Sequence, residues 1–211
     1  RNIVRVIKGM SLITQPEMPN DEMFVKLFYH EMMREFYDRF NSDSDRSWFN
    51  TQLNEITNKH FKLDFSNKTV VFNSFWDSRA MCYKECTLDQ NQQLAVCREF
   101  LEEHNRESTK PLDIVLFKEA IEHISAISRV LSMPRGHIML VGVKSSGRKS
   151  LARLSMPISS MEPYAIHITR TYGLLEWRDD LKTLMKQLGM NNLETAFLLS
   201  DSQIIGDFQL E

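Results

Sequence analysis

Large apolar side chains recur every four positions after residue 20, at Phe24, Phe28, Met32, Phe36 and Phe40. That recurrence predicts an amphipathic helix with one apolar stripe. Pro19-Asn20-Asp21-Glu22 opens it, with Asn20 or Asp21 as N-cap. Asn41-Ser42-Asp43-Ser44 interrupts the pattern with turn chemistry. A second helix follows, with Trp48, Phe49, Leu53, Ile56 and His60 inward, so the pair reads as a helical hairpin. Residues 62–88 are less regular, apart from a short strand at Val70-Val71-Phe72. A third helix is predicted over about 89–105, with Leu94, Cys97, Leu101 and His104 inward. A polar linker over 105–110 ends at Pro111. A fourth helix is predicted over about 113–132, with Phe117, Ala120, Ile121, Ile124, Ile127 and Leu131 on its apolar face.

The period then changes. His137-Ile138-Met139-Leu140-Val141-Gly142 is a continuous apolar run, the pattern of a strand buried on both faces. A Gly/Ser loop leads into a short helix from Arg148. Tyr164, Ile166 and Ile168 alternate as a second strand. Trp177, Leu181, Leu184 and Leu188 share a helical face, with Gly189 as C-cap. Ala196-Phe197-Leu198-Leu199 reads as a third buried strand, running into Ser200-Asp201. Strand, helix, strand, helix, strand predicts an α/β fold with a parallel sheet and crossover helices, preceded by an α-helical segment.

Composition narrows the function classes. The 211 residues suffice for one large or two small domains, and 42% hydrophobic with 26% charged residues is ordinary for a packed globular chain. A net charge of -2 lacks the basic footprint of a nucleic-acid binder. The longest apolar run, 138–143, is far short of the ~20 residues of a membrane helix. Cys82, Cys86 and Cys97 make no disulfide framework and fit a reducing compartment. Cys82 and Cys86 with His104 lack the second close pair of a structural zinc site. His123 and His137 read as structural histidines and Trp177 as packing. No signal peptide opens the chain, and both ends read as cuts through a larger protein.

The strongest chemical signal is Gly142-Val143-Lys144-Ser145-Ser146-Gly147-Arg148-Lys149-Ser150. It follows a predicted strand and opens a helix, the context required by the phosphate-loop motif G-x-x-x-x-G-K-[ST]. In such a turn successive backbone N–H groups converge on an anion, and the helix N-terminus adds its dipole. Arg148 stands where the phosphate lysine would be and brings a planar cationic fork. Lys149 stands where a hydroxyl would hold Mg²⁺, and a cation there repels the metal. Ser150 sits about 100° further round the helix. Lys144 and Ser145 replace residues that tolerate φ > 0, so strain is expected there. Two readings stay open on these residues: retained nucleotide binding, or a strand-to-helix turn that no longer binds phosphate.

Asp201 is the candidate second half of the site. At the end of a buried strand beside the loop's strand it would reach Mg²⁺ through water. Ser202 follows where hydrolytic sites place a Glu, and a serine has no useful basicity at neutral pH.

The run ISAISRVLSMPRGHIMLVGVKSSGRKSLARL over 124–154 resembles the fourth AAA+ module of axonemal dynein heavy chains. So do Tyr172-Gly173 with Glu176-Trp177-Arg178-Asp179-Asp180-Leu181, and FLLSDSQ over 197–203. LFYHEMMREFYDRF with DRSWF resembles the helical lid that ends the third module. The resemblance implies a three-part division: 1–66 as the helical small subdomain of the preceding module, 67–110 as a connecting segment, and 111–211 as a partial AAA+ large subdomain with the P-loop. It implies ATP or ADP at Gly142, Val143, Lys144, Ser145, Ser146, Gly147, Arg148, Lys149, Ser150 and Asp201. Mg²⁺ would be weakened by Lys149 and reached by Asp201 through water. It implies a regulatory module in an ATP-driven, minus-end-directed microtubule motor of cilia and flagella, with hydrolysis at this site weak or absent. The implied partners are neighbouring AAA+ modules of the same chain, the microtubule, and dynein intermediate and light chains. The implied location is the axoneme. Pro157 is expected to shorten the helix after the loop.

Overall fold

The computed structural model describes residues 2–65, 70–76, 82–108, 110–191 and 193–209. They form two compact units, one of residues 1–93 with 132–136, the other of 94–131 with 137–211. The boundary expected at 66/67 lies outside the described residues, as does Thr109 of the expected linker. The chain is α/β, with helices and two small sheets.

The first unit is helical. Helices α1 (Asn2–Met10), α2 (Asp21–Glu35) and α3 (Asp43–Phe61) are followed by strands β1 (Phe72–Asn73) and β2 (Lys84–Glu85), paired antiparallel. Asn20 caps α2, its side chain accepting a hydrogen bond from the Met23 amide at 2.9 Å. Helices α2 and α3 fold back as the predicted hairpin. Phe36 and Phe40 meet Phe49 near the turn, and Val25 and Tyr29 pack with Leu53 and Phe65 further along.

The predicted stripe lies at the edge of the buried face of α2, with Phe28 and Met32 partly buried against the core of Val25, Tyr29, Leu53 and Phe65. Phe24 is 46% exposed, whereas Val25, Leu27, Tyr29, His30, Glu31 and Glu35 are buried. A four-residue step turns 400° on a 3.6-residue helix, so a stripe spaced by fours drifts about 40° at each step and leaves the face. The helix also stops at Glu35, and Tyr37–Arg39 form a separate 3₁₀ turn. In α3, Trp48 is 62% exposed, and Ile56 and His60 are exposed too. Leu53 and Thr57 are the buried pair.

Gly9 lets α1 approach α2. A Cβ at this position would collide with the Glu31 carboxylate, which is fully buried and accepts a hydrogen bond from the Tyr83 hydroxyl at 2.7 Å.

Helix α4 (Gln90–Glu107) is capped reciprocally by Asp89 and Gln92, whose side chains each accept from the other's amide at 2.8 and 2.9 Å. Cys97 is buried as expected, with Leu94, Leu101 and His104 partly so.

In the second unit, α5 covers Lys118–Leu131, shorter than predicted. The residues before it are not helical. The Asn105 side chain clamps Leu112 like a strand partner, donating to its carbonyl at 3.0 Å and accepting from its amide at 2.7 Å. Pro111 disfavours helix in the residue before it, and the β-branched Ile114 and Val115 are weak helix formers. Phe117 therefore stays exposed, while Ala120, Ile121, Ile124, Ile127 and Leu131 form the buried face. This face packs on α6 (Arg148–Ile158).

Strand β3 (Glu162–Tyr164) and strand β4 (Thr195–Phe197) pair in parallel. Between them runs α7 (Leu174–Asn191), so this part is a strand–helix–strand crossover. Ile166, Tyr172 and Trp177 form its core, with Phe197 and Leu199 against them. Gly189 lies inside α7 rather than capping it, and it is not among the glycines with positive φ.

The run 137–142 corrects the expectation of a strand buried on both faces. It has no regular secondary structure and joins no ladder among the described residues, and Met139 and Val141 are 87% and 80% exposed. An all-apolar strand is buried only between two hydrogen-bonded neighbours and two covering layers. Here β3 and β4 pair with each other and not with this run.

Candidate nucleotide-phosphate site

Residues 137–142 enter the loop and α6 leaves it. The Ser146 amide donates to the Val143 carbonyl at 3.4 Å, closing a turn. Ser145 (φ 64) and Gly147 (φ 77) are both left-handed. For Gly147 this conformation is free of penalty. For Ser145 it costs about 1–2 kcal/mol, which places the expected strain at that residue. Gly147 is the N-cap of α6, so the helix's first amides have no side-chain cap. They are orphan donors carrying the positive end of the helix dipole.

Along the chain the charge on either side of the loop has one sign. No acidic residue occurs between Glu122 and Glu162, while Lys144, Arg148, Lys149 and Arg153 fall in or just after the loop. Residues 141–147 are all exposed. Arg148 donates through Nη2 to the Val143 carbonyl at 3.3 Å, so its guanidinium folds over the loop. Loop, orphan amides and cations suit a polyanion such as a nucleotide's phosphates.

Asp201 does not end a strand. Strand β4 stops at Phe197, and Asp201 begins a 3₁₀ turn, Asp201–Gln203, where it is exposed. The turn is held firmly. Gln203 accepts from the Ser200 amide at 2.9 Å and from its hydroxyl at 2.7 Å, and donates through Nε2 to the Ile166 carbonyl at 2.6 Å. The turn meets the first turn of α6 where Lys149 Nζ donates to Ser202 Oγ at 3.1 Å.

Loop, α6 N-terminus and Asp201 turn thus come together in one unit. The donor set does not fit Mg²⁺. The position that would supply a hydroxyl ligand holds an ammonium, and that ammonium already lies beside the Asp201 turn. Ser150, on the next position of α6, is partly buried. Pro157 sits in the last turn of α6, which ends one residue later at Ile158.

The Lys149–Ser202 pair was not foreseen from the sequence, since two polar residues so far apart carry no periodic signal. Another such contact is Tyr172 Oη donating to Asp180 Oδ2 at 2.5 Å. Burial, then this hydrogen bond to a carboxylate, push the Tyr172 phenol well up from its ordinary value. Burial and the nearby Asp180 charge raise Tyr164 too, and its hydroxyl donates to the Asp180 carbonyl at 3.1 Å. These contacts fix the start of α7 against β3. His123 and His137 are exposed. Among the described residues no three His, Cys, Asp or Glu side chains gather as a metal site, and no helix is long and apolar enough to cross a membrane.

The family model of the P-loop containing dynein motor region D4 matches residues 112–211. Dynein axonemal heavy chain 3 of Homo sapiens is 36% identical over 222 residues, covering 97% of this chain and 5% of that protein. Dynein axonemal heavy chain 1 of Homo sapiens is 33% identical over 217 residues, covering 100% of this chain and 5% of that protein. The Dynein-1-beta heavy chain, flagellar inner arm I1 complex, of Chlamydomonas reinhardtii is 34% identical over 220 residues, with the same coverage. The chain spans 5% of the length of these curated relatives. The loop and its acid-free surroundings lie inside the region that the family model matches, and the likeness runs along nearly the whole sequence: the chain belongs to the axonemal dynein heavy chain family, with residues 112–211 in that family's P-loop-containing motor region D4.

Proposed function

We propose that loop 142–147 and the first turn of α6 bind the phosphates of ATP or ADP, and that this site regulates rather than hydrolyses. The observation carrying the proposal is the left-handed Gly147 opening an α6 whose first amides lack a side-chain cap, inside a stretch with cations and no acid. Gly142, Val143, Lys144, Ser145, Ser146 and Gly147 form the cradle, Arg148 and Lys149 supply charge, and Ser150 and Asp201 flank it. Hydrolysis needs a base beside the attacking water. Ser202 supplies none, and its hydroxyl already accepts from Lys149.

In this reading the parent protein is an ATP-driven, minus-end-directed microtubule motor of the ciliary or flagellar axoneme. The chain's neighbours are further AAA+ modules, and intermediate and light chains join the assembly. The three-part division at 66/67 and 110/111, with a helical lid before a parallel-sheet core, belongs to the same proposal. The names of the relatives support it.

A second reading is a structural module with no nucleotide. It is favoured by Arg148, which already closes on the Val143 carbonyl at 3.3 Å. Calorimetry with ADP and ATP separates the two. Arg148→Ala is expected to weaken binding by about 10- to 100-fold, the worth of one charge-assisted phosphate contact. Equal binding by both proteins refutes the role given to Arg148, and no binding by the folded wild type refutes the nucleotide reading.

A further inference from the structure

We infer that the Lys149 ammonium, held by Ser202, takes the place of a divalent cation beside the bound phosphates, so that this chain binds nucleoside di- and triphosphates without metal. The inference rests on phosphate binding by loop 142–147.

Lys149 is the second residue of α6, at the position from which a hydroxyl would ligand a metal. Its Nζ lies 3.1 Å from Ser202 Oγ, immediately after Asp201 in the turn that would supply the metal's other contact. The ammonium therefore stands between the two elements a metal would bridge. A divalent cation entering there would meet a fixed positive charge.

Ser202 is not a casual partner. Its hydroxyl is also 3.1 Å from Ser200 Oγ. Ser200 is locked by Gln203, and Gln203 is tied to the Ile166 carbonyl. The acceptor is thus anchored through the turn to the chain just past β3. It is also uncharged. A carboxylate at this position would pair with the ammonium and cancel it. A hydroxyl holds the ammonium by one N–H and leaves its charge, and two further donors, available to an anion. With Lys144 and Arg148 alongside, the loop carries the positive charge that a phosphate chain otherwise takes from a metal.

The test is calorimetry of ADP with the full-length protein, in EDTA and in excess MgCl₂. Wild type is expected to bind equally in both, within about twofold. Lys149→Thr is expected to lose about tenfold or more in EDTA and to recover in MgCl₂. Ser202→Glu is expected to lose affinity in both media. Circular dichroism confirms that each variant folds; should Lys149→Thr not fold, the wild-type comparison alone decides. As an independent readout, Mn²⁺ electron paramagnetic resonance is expected to show the ion retained with ADP by Lys149→Thr and not by wild type. Wild type binding ADP about tenfold more tightly in MgCl₂ overturns the surrogate role and leaves phosphate binding standing. Wild type binding no ADP in either medium overturns both.

Discussion

Replacing Gly147 isolates the backbone of the phosphate loop from everything else at the site. Gly147 has φ 77, and a Cβ built there meets nothing within 4 Å. Gly147→Ala therefore costs conformational energy alone. An L-residue held in the left-handed region pays about 1–2 kcal/mol. Stiffening the unfolded chain returns about 0.4–1 kcal/mol of that. The net loss is at most about 1.6 kcal/mol, or up to ~6 °C in Tm for a chain of this length. The loss of nucleotide affinity should be larger. A loop that relaxes from the left-handed region at residue 147 turns the first amides of α6 away from the phosphates. Losing even two such hydrogen bonds to an anion is worth roughly 3 kcal/mol, about a hundredfold. Gly147→Asn separates the causes, because asparagine tolerates the left-handed region far better than alanine. Differential scanning fluorimetry and ADP calorimetry on the three proteins read both effects. The expected order of affinity is glycine, then asparagine, then alanine, with folding stability changed less. Alanine and asparagine binding as tightly as glycine would refute the reasoning, since the left-handed cap would then contribute nothing.

Two further predictions concern folding. Tyr172→Phe removes the hydrogen bond to Asp180 and should cost about 1.5 kcal/mol at pH 7, seen as a lower urea midpoint. The folded phenol titrates above its unfolded value near 10, so the neutral donor stabilises fully below that pH and its contribution falls as pH rises past it. The gap between wild type and Tyr172→Phe should accordingly narrow above pH 10, and a gap that widens there contradicts the assigned contact. Gly9→Ala drives a methyl group into the fully buried Glu31 carboxylate and should cost about 2–4 kcal/mol, combining strain with a weakened bond from Tyr83. A urea midpoint within error of wild type would show that α1 does not pack on α2 through Gly9.

Local chemistry was legible from the sequence wherever it acts over a few residues. The cap at Asn20, the hairpin of α2 and α3, the buried face of α5 and the start of α6 at Arg148 follow from turn residues and periodicity. The loop 142–150 was legible as a unit because strand, glycines and cations occur together, and its strain at Ser145 followed from the missing glycine. The contacts decided by tertiary structure are of another kind. Which face of α2 is buried depended on the drift of a four-residue spacing around the helix and on Gly9 of another element admitting Glu31. Whether the run 137–142 is buried depended on neighbouring strands, because apolar composition states a preference for burial and does not supply the partner. The meeting of Lys149 with Ser202 depended on a strand–helix–strand crossover bringing one turn to the head of one helix. No local pattern encodes such a meeting, since it is a sum of packing choices made along the whole intervening chain.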